Sequence, residues 1–290
     1  MDRKWTIKGV LDWATADFSS RGMDSPRLEA EILLAHLLRC ERIRLYTDFD
    51  RPLEEGELAR YREAIARRRK GVPSAHITGR REFWSIELEV SPEVLVPRPD
   101  TETLVEAALE VGPGESVLDL CTGSGCVVIA LASERPKAEF DATDISPAAC
   151  EIARANADRQ GLAERITVFE GDLFDAVPDG KTYDMIVSNP PYVTTGEIPT
   201  LSPEVRNEPA LALDGGPDGL DIIRRILEGA HRHLNPGGAI LIELDPRQAE
   251  IAAGELGERA LGVRGRIVKD LAGRARVVAW EIPQTRLETK

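Results

Sequence analysis

From residue 115 onward, short apolar runs alternate with helical segments, and this alternation constrains the fold more than any other feature of the sequence. SVLDLC, EFDATD, ITVFEGD, YDMIVS and AILIEL read as strands, with helices between them near 125–134, 147–160, 218–234 and 246–257. Short, largely apolar strands separated by helices imply a mostly parallel, doubly wound α/β sheet. Two last strand candidates, VRGRIVKD and RVVAWEI, are joined by only a short Ala-Gly-Arg stretch. So short a link predicts an antiparallel pair at the sheet edge.

The first 70 residues have a different period. Ile7, Val10, Leu11, Ala14 and Phe18 fall at helical spacing. Ser25-Pro26 reads as a cap followed by proline at the first helical position, leading into LEAEILLAHLLRC. A third helix over 54–70, with Leu58, Tyr61 and Ile65 on one face, ends at Gly71. Together they form a small helical bundle. In FWSIELEVS, Trp84, Ile86, Leu88 and Val90 alternate with polar residues, which predicts a strand that pairs with AHITGR as a hairpin. Asp100 or Thr101 is placed to cap a helix running to Glu110. The expected organisation is a bundle over 1–74, a connecting hairpin over 75–98 and an α/β domain over 99–290.

The chain carries 37 basic and 50 acidic residues, a net charge of −13. Residues 1–95 hold 17 of each, so the whole acidic excess lies in the remainder. A surface of that sign repels a phosphate backbone, and direct nucleic-acid binding is not expected. The one basic run, ARRRK at 66–70, reads as a solvated helix end complementing the helix dipole. Cys40, Cys121, Cys126 and Cys150 are scattered without a C-x-x-C pair or a histidine cluster. Reduced thiols and no metal site are expected. No apolar run approaches membrane-spanning length and the N-terminus lacks a signal-like apolar core, so a cytoplasmic protein, away from membranes, is expected. No dimerisation stripe is visible, and a monomer is expected.

In doubly wound sheets ligands bind beyond the carboxyl ends of the strands. The first such end is DLCTGSGC, 119–126. Gly123 and Gly125 permit a sharp turn and close approach of the backbone, and the next helix starts there with its N-terminus aimed at the same place. The second strand ends in Asp144, 19 residues after Gly125, where a carboxylate suits the two hydroxyls of a ribose. Val128 stands where a dinucleotide fingerprint has its third glycine. These residues fit S-adenosylmethionine, which has a ribose but no pyrophosphate, and on their own leave a nicotinamide dehydrogenase open as the alternative.

The fourth strand ends in VSNPPYV, 187–193. Proline stops the strand and stiffens the turn. A lone Asn-Pro is an ordinary turn start. At this strand end, four residues in a row suggest more. A planar NH₂ group is a poor nucleophile because its lone pair is delocalised. Two acceptors at a fixed separation, the Asn189 side-chain oxygen and the Pro190 carbonyl, can hold both of its N–H bonds and aim the nitrogen at a methyl donor. Pro191 keeps the loop rigid, and Tyr192 is placed to pack on the flat acceptor. The gain is positioning together with stabilisation of the charge that develops on nitrogen.

At this point the chain closely resembles the PrmC (HemK) family of release factor glutamine-N5 methyltransferases. The likeness rests on AHITGRREFW, VPRPDTETLVE, DLCTGSGC, SNPPYV, EVRNEPALAL and KDLAGRARVV, in that order along nearly the whole chain. It implies a Rossmann-like, seven-stranded methyltransferase sheet, S-adenosylmethionine as donor, and the Gly-Gly-Gln glutamine of peptide chain release factors as acceptor. It implies that Cys121, Thr122, Gly123, Ser124 and Gly125 line the donor, that Asp144 binds its ribose, and that Leu173 lies against the adenine where several relatives have Trp. Asn189, Pro190, Pro191 and Tyr192 would hold the target glutamine, with Asn189 also bordering the donor; Asn189, Pro190 and Tyr192 are the catalytic set. Pro97 to Glu102 would border the pocket, Arg98 and Glu102 without a catalytic step, and the bundle would help grip the release factor. Three rivals are weighed. A sister family that methylates a ribosomal protein typically has PRSPIAE where this chain has PRPDTE. A DNA adenine-amino methyltransferase would need a basic target-reading surface. A non-catalytic adapter would have no need of the glycines and Asn189.

Overall fold

The computed structural model describes residues 5–112 and 114–284. The chain forms two compact units: residues up to Gly79 together with Leu201–Asn207, and Arg80–Thr200 together with Glu208 onward. The hairpin therefore groups with the α/β part rather than standing between domains, and a seven-residue segment from the second half of the chain groups with the bundle.

The first unit contains α1 (Ile7–Ser20), α2 (Pro26–Leu38), α3 (Arg42–Thr47), α4 (Glu55–Arg69) and α5 (Ser74–Thr78). Helix α1 buries Ile7, Val10, Leu11, Ala14 and Phe18 in a core with Leu33, Leu34, Tyr61 and Ile65, as the spacing predicts. Its N-terminus is closed by Thr6, whose Oγ1 accepts from the Gly9 N–H at 3.2 Å. Ser25 does precede α2, but its backbone is left-handed (φ 47°) and its side chain makes no capping bond. Helix α4 starts with a reciprocal capping box between Glu54 and Glu57.

The basic run at the end of α4 is not simply a solvated helix end. Arg68 is only 4% exposed. Its Nε donates to Glu29 Oε2 and its Nη2 to Glu204 Oε2, both at 2.6 Å. A guanidinium taken out of water must be paired, and two carboxylates from distant parts of the sequence do this. Arg69 forks onto Asp17 at 2.8 and 2.6 Å and lies over the Trp13 ring, 5.3 Å from its centroid. Just beyond, Gly71 (φ 86°) lets the 201–207 segment approach, since a Cβ there would fall 2.8 Å from Pro203 Cβ.

The second unit opens with a hairpin of β1 (Arg80–Phe83) and β2 (Ile86–Glu89), paired Arg80 to Glu89 and Phe83 to Ile86. The expected strand over FWSIELEVS is thus corrected. Trp84 and Ser85 form the turn itself, both at positive φ (53° and 57°), and AHIT is helical in α5. Positive φ at both central residues is the I′ geometry that matches strand twist. The capping expectation at Asp100 or Thr101 is corrected too: a 3₁₀ turn over Pro99–Thr101 runs straight into α6 (Glu102–Glu110), with no side-chain cap from either residue.

The main sheet holds β3 (Ser116–Leu120), β4 (Glu139–Asp144), β5 (Ile166–Glu170), β6 (Tyr183–Ser188), β7 (Leu234–Glu243), β8 (Arg266–Lys269) and β9 (Ala275–Glu281). Their order is β5-β4-β3-β6-β7-β9-β8, with β5 to β7 parallel and β9 and β8 antiparallel at the edge. Helices α7 (Cys126–Glu134) and α8 (Pro147–Arg159) follow β3 and β4. The one-turn α9 (Pro203–Arg206) lies in the segment that groups with the bundle, and α10 (Asp221–Ala230) precedes β7. Successive strand residues enter opposite cores: Val117, Met185, Val187 and Leu241 one, Leu118, Ile186, Ile240 and Ile242 the other. That two-sided burial is why apolar residues fall on both faces of these strands. The chain reverses its direction of travel across the sheet at β3, flanked by β4 on one side and β6 on the other, and this places the crevice at their carboxyl ends.

Candidate active site

A cavity of about 460 Å³ opens at the carboxyl ends of β3, β4 and β6, within the usual range for a small-molecule site. The loop after β3 enters it with Cys121 in the left-handed region (φ 59°), then Gly123 (φ 56°) and Gly125 (φ 81°). Cys121, Thr122, Gly123 and Ser124 line the cavity; Gly125 does not, and instead starts α7. The loop is pinned from three sides. Thr122 Oγ1 donates to buried Asp119 Oδ2 at 2.6 Å. The Gly123 N–H donates to Asp144 Oδ2 at 2.8 Å. Asn156 donates from Nδ2 to the Ser124 carbonyl at 2.9 Å, while its Oδ1 accepts from the Glu89 N–H and its Nδ2 also donates to the Glu89 carbonyl.

Asp144 ends β4 at the cavity wall. Its Oδ1 accepts from the Ser146 N–H at 2.9 Å, so the carboxylate is partly spent on backbone and keeps accepting capacity at the cavity wall. Burial pushes its pKa up, against the lowering by the Ser146, Gly123 and Ile145 backbone N–H groups. Leu173 lines the same cavity at φ 50°, a conformation uncommon for a branched side chain. Ser124 Oγ and Thr143 Oγ1 are buried there without hydrogen-bond partners. Orphan hydroxyls, a half-used carboxylate and a glycine turn fit a ligand that brings its own donors and acceptors, as a nucleoside with an amino-acid tail does. Burial also pushes the Cys121 thiol up and that of Cys126 up to about 12, so neither is a thiolate at neutral pH.

At the end of β6, Asn189 and Pro191 line the cavity. The Asn189 Nδ2 donates to Thr101 Oγ1 at 3.1 Å. Pro190 and Tyr192 are not on the lining. Tyr192 instead packs against the second core, its hydroxyl donating to Glu243 Oε1 at 3.3 Å and its carbonyl accepting from Gln248 Nε2 at 2.9 Å. Tyr192 thus lies behind the cavity lining, half-buried with its ring against the second core. Gly219 (φ 75°) permits this packing: a Cβ would fall 2.2 Å from both Gln248 Nε2 and the Tyr192 carbonyl oxygen.

The stretch 97–102 braces the site. Arg98 pairs with buried Glu208, whose Oε1 also accepts from the Val96 N–H at 2.8 Å. Asp100 accepts from Arg276 Nη2 at 2.7 Å, and Glu102 Oε1 from the Trp84 N–H at 3.0 Å. Asn156, Glu208 and Glu243, and the link of Thr101 to Asn189, escape sequence reasoning because the partners lie far along the chain. The blocks NEPALAL and PRPDTE are the visible trace of the Glu208 and Asp100 links. Among the described residues, no group of three or more His, Cys, Asp or Glu side chains could hold a metal ion, and no helix is long and apolar enough to cross a membrane.

Comparison with known proteins bears on this arrangement. Residues 9–79 match the family described as PrmC N-terminal domain, and residues 99–203 match the methyltransferase small domain. Over 289 residues the chain is 43% identical to a release factor glutamine methyltransferase of Rhodopirellula baltica, covering 97% of each chain. It is 46% identical over 252 residues to one from Geobacter sulfurreducens, covering 86% of this chain and 88% of the other. Among solved structures it is similar in fold to a methyltransferase from Pyrococcus furiosus (TM-score 0.53, 23% identity, 68% of this chain and 89% of the other). It is also similar in fold to the catalytic domain of hMettl16 (TM-score 0.55, 17% identity, 74% and 82%).

Proposed function

This chain belongs to the release factor glutamine methyltransferase family, and on that premise we propose that the cavity at the ends of β3, β4 and β6 is where a methyl group passes from S-adenosylmethionine to the side-chain amide nitrogen of the Gly-Gly-Gln glutamine of a peptide chain release factor. When bound, S-adenosylmethionine supplies an electrophilic methyl group on a positively charged sulfur, a good leaving group.

The residues of this chain do the holding. Asp144 offers its remaining accepting capacity to the ribose hydroxyls, and the loop from Cys121 to Gly125 seats the amino-acid end against the α7 N-terminus. Leu173 lies against the adenine. The Asn189 Oδ1 and the Pro190 carbonyl accept the two N–H bonds of the target amide, and Pro191 stiffens the bend. The protonated cysteines take no nucleophilic part. Tyr192 contributes from behind, as a support of the loop. The observation that carries this reading is that Asp144, the glycine turn and Asn189 line one cavity. The acidic balance of the chain supports a protein substrate over a nucleic acid. We read it as a cytoplasmic monomer.

The test is mass spectrometry of a release factor incubated with this protein and S-adenosylmethionine. One methyl group is expected on the peptide containing Gly-Gly-Gln, and none on a factor whose glutamine is replaced. Methyl incorporation elsewhere, or none, overturns the assignment.

A further inference from the structure

Asn189 can take a substrate N–H only if its carboxamide presents oxygen, not nitrogen, to the cavity. The two ends of a carboxamide have nearly the same shape, so packing alone does not choose between them. Something must read the difference. Thr101 is buried at the start of α6, and its Oγ1 accepts from Asn189 Nδ2 at 3.1 Å. A hydroxyl both donates and accepts, and on its own would tolerate either end of the carboxamide.

The ambiguity is removed one step further back. Glu243 ends β7 and is 1% exposed. Its Oε1 accepts from the Tyr192 hydroxyl at 3.3 Å, and its buried Oε2 keeps accepting capacity unspent. The Thr101 hydroxyl lies within hydrogen-bond reach of Glu243 and favours its ionised form, working against the burial that raises its pKa. An ionised carboxylate only accepts. In that form it accepts the Thr101 O–H as a hydrogen bond, the proton staying on Thr101, and the Thr101 oxygen is left able only to accept from Asn189 Nδ2. The chain of roles then runs one way: Glu243 accepts from Thr101, Thr101 accepts from Asn189 Nδ2, and Asn189 Oδ1 faces outward. Both Asn189, through Thr101, and Tyr192, directly, refer to the same carboxylate.

We propose that Thr101 and Glu243 are positioning residues for methyl transfer, which fix the orientation of the Asn189 carboxamide so that its oxygen meets the substrate amide. This rests on the reading that Asn189 Oδ1 accepts from the target glutamine. Without the hydroxyl the carboxamide is free to turn, and in the turned state a donor faces a donor. The loss falls on turnover, because alignment of the nitrogen is needed in the transition state.

The experiment compares Thr101→Val, Thr101→Ser, Glu243→Gln, the Thr101→Val/Glu243→Gln double variant and Asn189→Ala, measuring kcat and KM for a release factor and the Kd of S-adenosylmethionine by calorimetry. Thr101→Val is expected to lower kcat about 10- to 100-fold, with donor Kd within about twofold of the parent; Thr101→Ser is expected to restore most of that loss. Glu243→Gln is expected to lower kcat in the parent and to add little to Thr101→Val, since one acts through the other. Retained kcat in Thr101→Val while Asn189→Ala is inactive overturns the orienting role alone. Failure of Thr101→Ser to restore turnover, additive losses in the double variant, or a matching loss of donor binding shows a packing role and overturns it as well. Retained kcat in Asn189→Ala overturns instead the reading on which the proposal rests.

Discussion

Replacing Asp144 by Asn tests the donor site most directly. The side chain keeps its volume, and one oxygen remains an acceptor. The other becomes an NH₂ that cannot accept, so it loses either the Gly123 N–H at 2.8 Å or the Ser146 N–H at 2.9 Å, and with it one ribose hydroxyl. The Asp144 hydrogen bonds are to a charged acceptor, worth about 1.5–3 kcal/mol each. The lost ribose bond lowers donor affinity about 10- to 150-fold. The lost loop bond lowers apo stability as well, because the Gly123 or the Ser146 N–H is left without its partner. Calorimetric titration with S-adenosylmethionine gives the first quantity and thermal unfolding without donor gives the second. A donor Kd within twofold of the parent, with the fold intact, would refute the ribose assignment. A lowered unfolding temperature with unchanged Kd would show that Asp144 serves only the loop.

Other outcomes follow from the same geometry. Gly219→Ala forces a Cβ onto the Tyr192 carbonyl from a left-handed backbone and is expected to cost about 2–4 kcal/mol of stability in urea unfolding; a cost below about 0.5 kcal/mol would contradict the close packing behind the Asn189–Tyr192 loop. Glu243 has its pKa raised to about 7 from an ordinary 4.5, chiefly by burial. The folded state therefore binds more protons than the unfolded state between those values. Its contribution makes stability fall as pH rises from about 4.5 to about 7. Glu243→Gln is expected to flatten that slope in chemical unfolding followed across the window, leaving the similar contribution of Asp119, also raised to about 7 by burial; an unchanged slope would count against a raised Glu243. Arg68→Met leaves Glu29 and Glu204 without their shared cation and is expected to destabilise the first unit by about 3 kcal/mol, read as an earlier loss of helical circular dichroism on heating; an unchanged transition would mean that the pairing contributes nothing net.

The sheet was legible because burial on both faces leaves short, largely apolar runs between helices, and all seven strand candidates after residue 115 are strands. The hairpin was legible only in outline. Trp84 and Ser85 continue the alternation of Ile86 and Leu88, so periodicity runs through the turn, and no glycine marks the positive φ. Arg68 looked solvated because nothing local shows that Glu204, a distant residue, completes its pairing. At the site, the glycine turn, Asp144 and Asn189 could be placed from strand ends alone. The position of Tyr192 could not, since its ring turns toward a carboxylate that ends a different strand. Thr101 and Glu243 carry no spacing signal at all; only the folded register of β6 beside β7 and the entry of α6 bring them to Asn189.

The three hydrogen bonds of Asn156 carry a consequence for how this enzyme can vary. One carboxamide is shared between the last residue of the hairpin and the carbonyl at the tip of the glycine turn. The peripheral ribbon and the nucleoside cradle are thereby mechanically one part. A lengthened or shifted second ribbon strand would drag the cradle with it, so change in the ribbon is confined to its far end, where Trp84 and Ser85 make the bend.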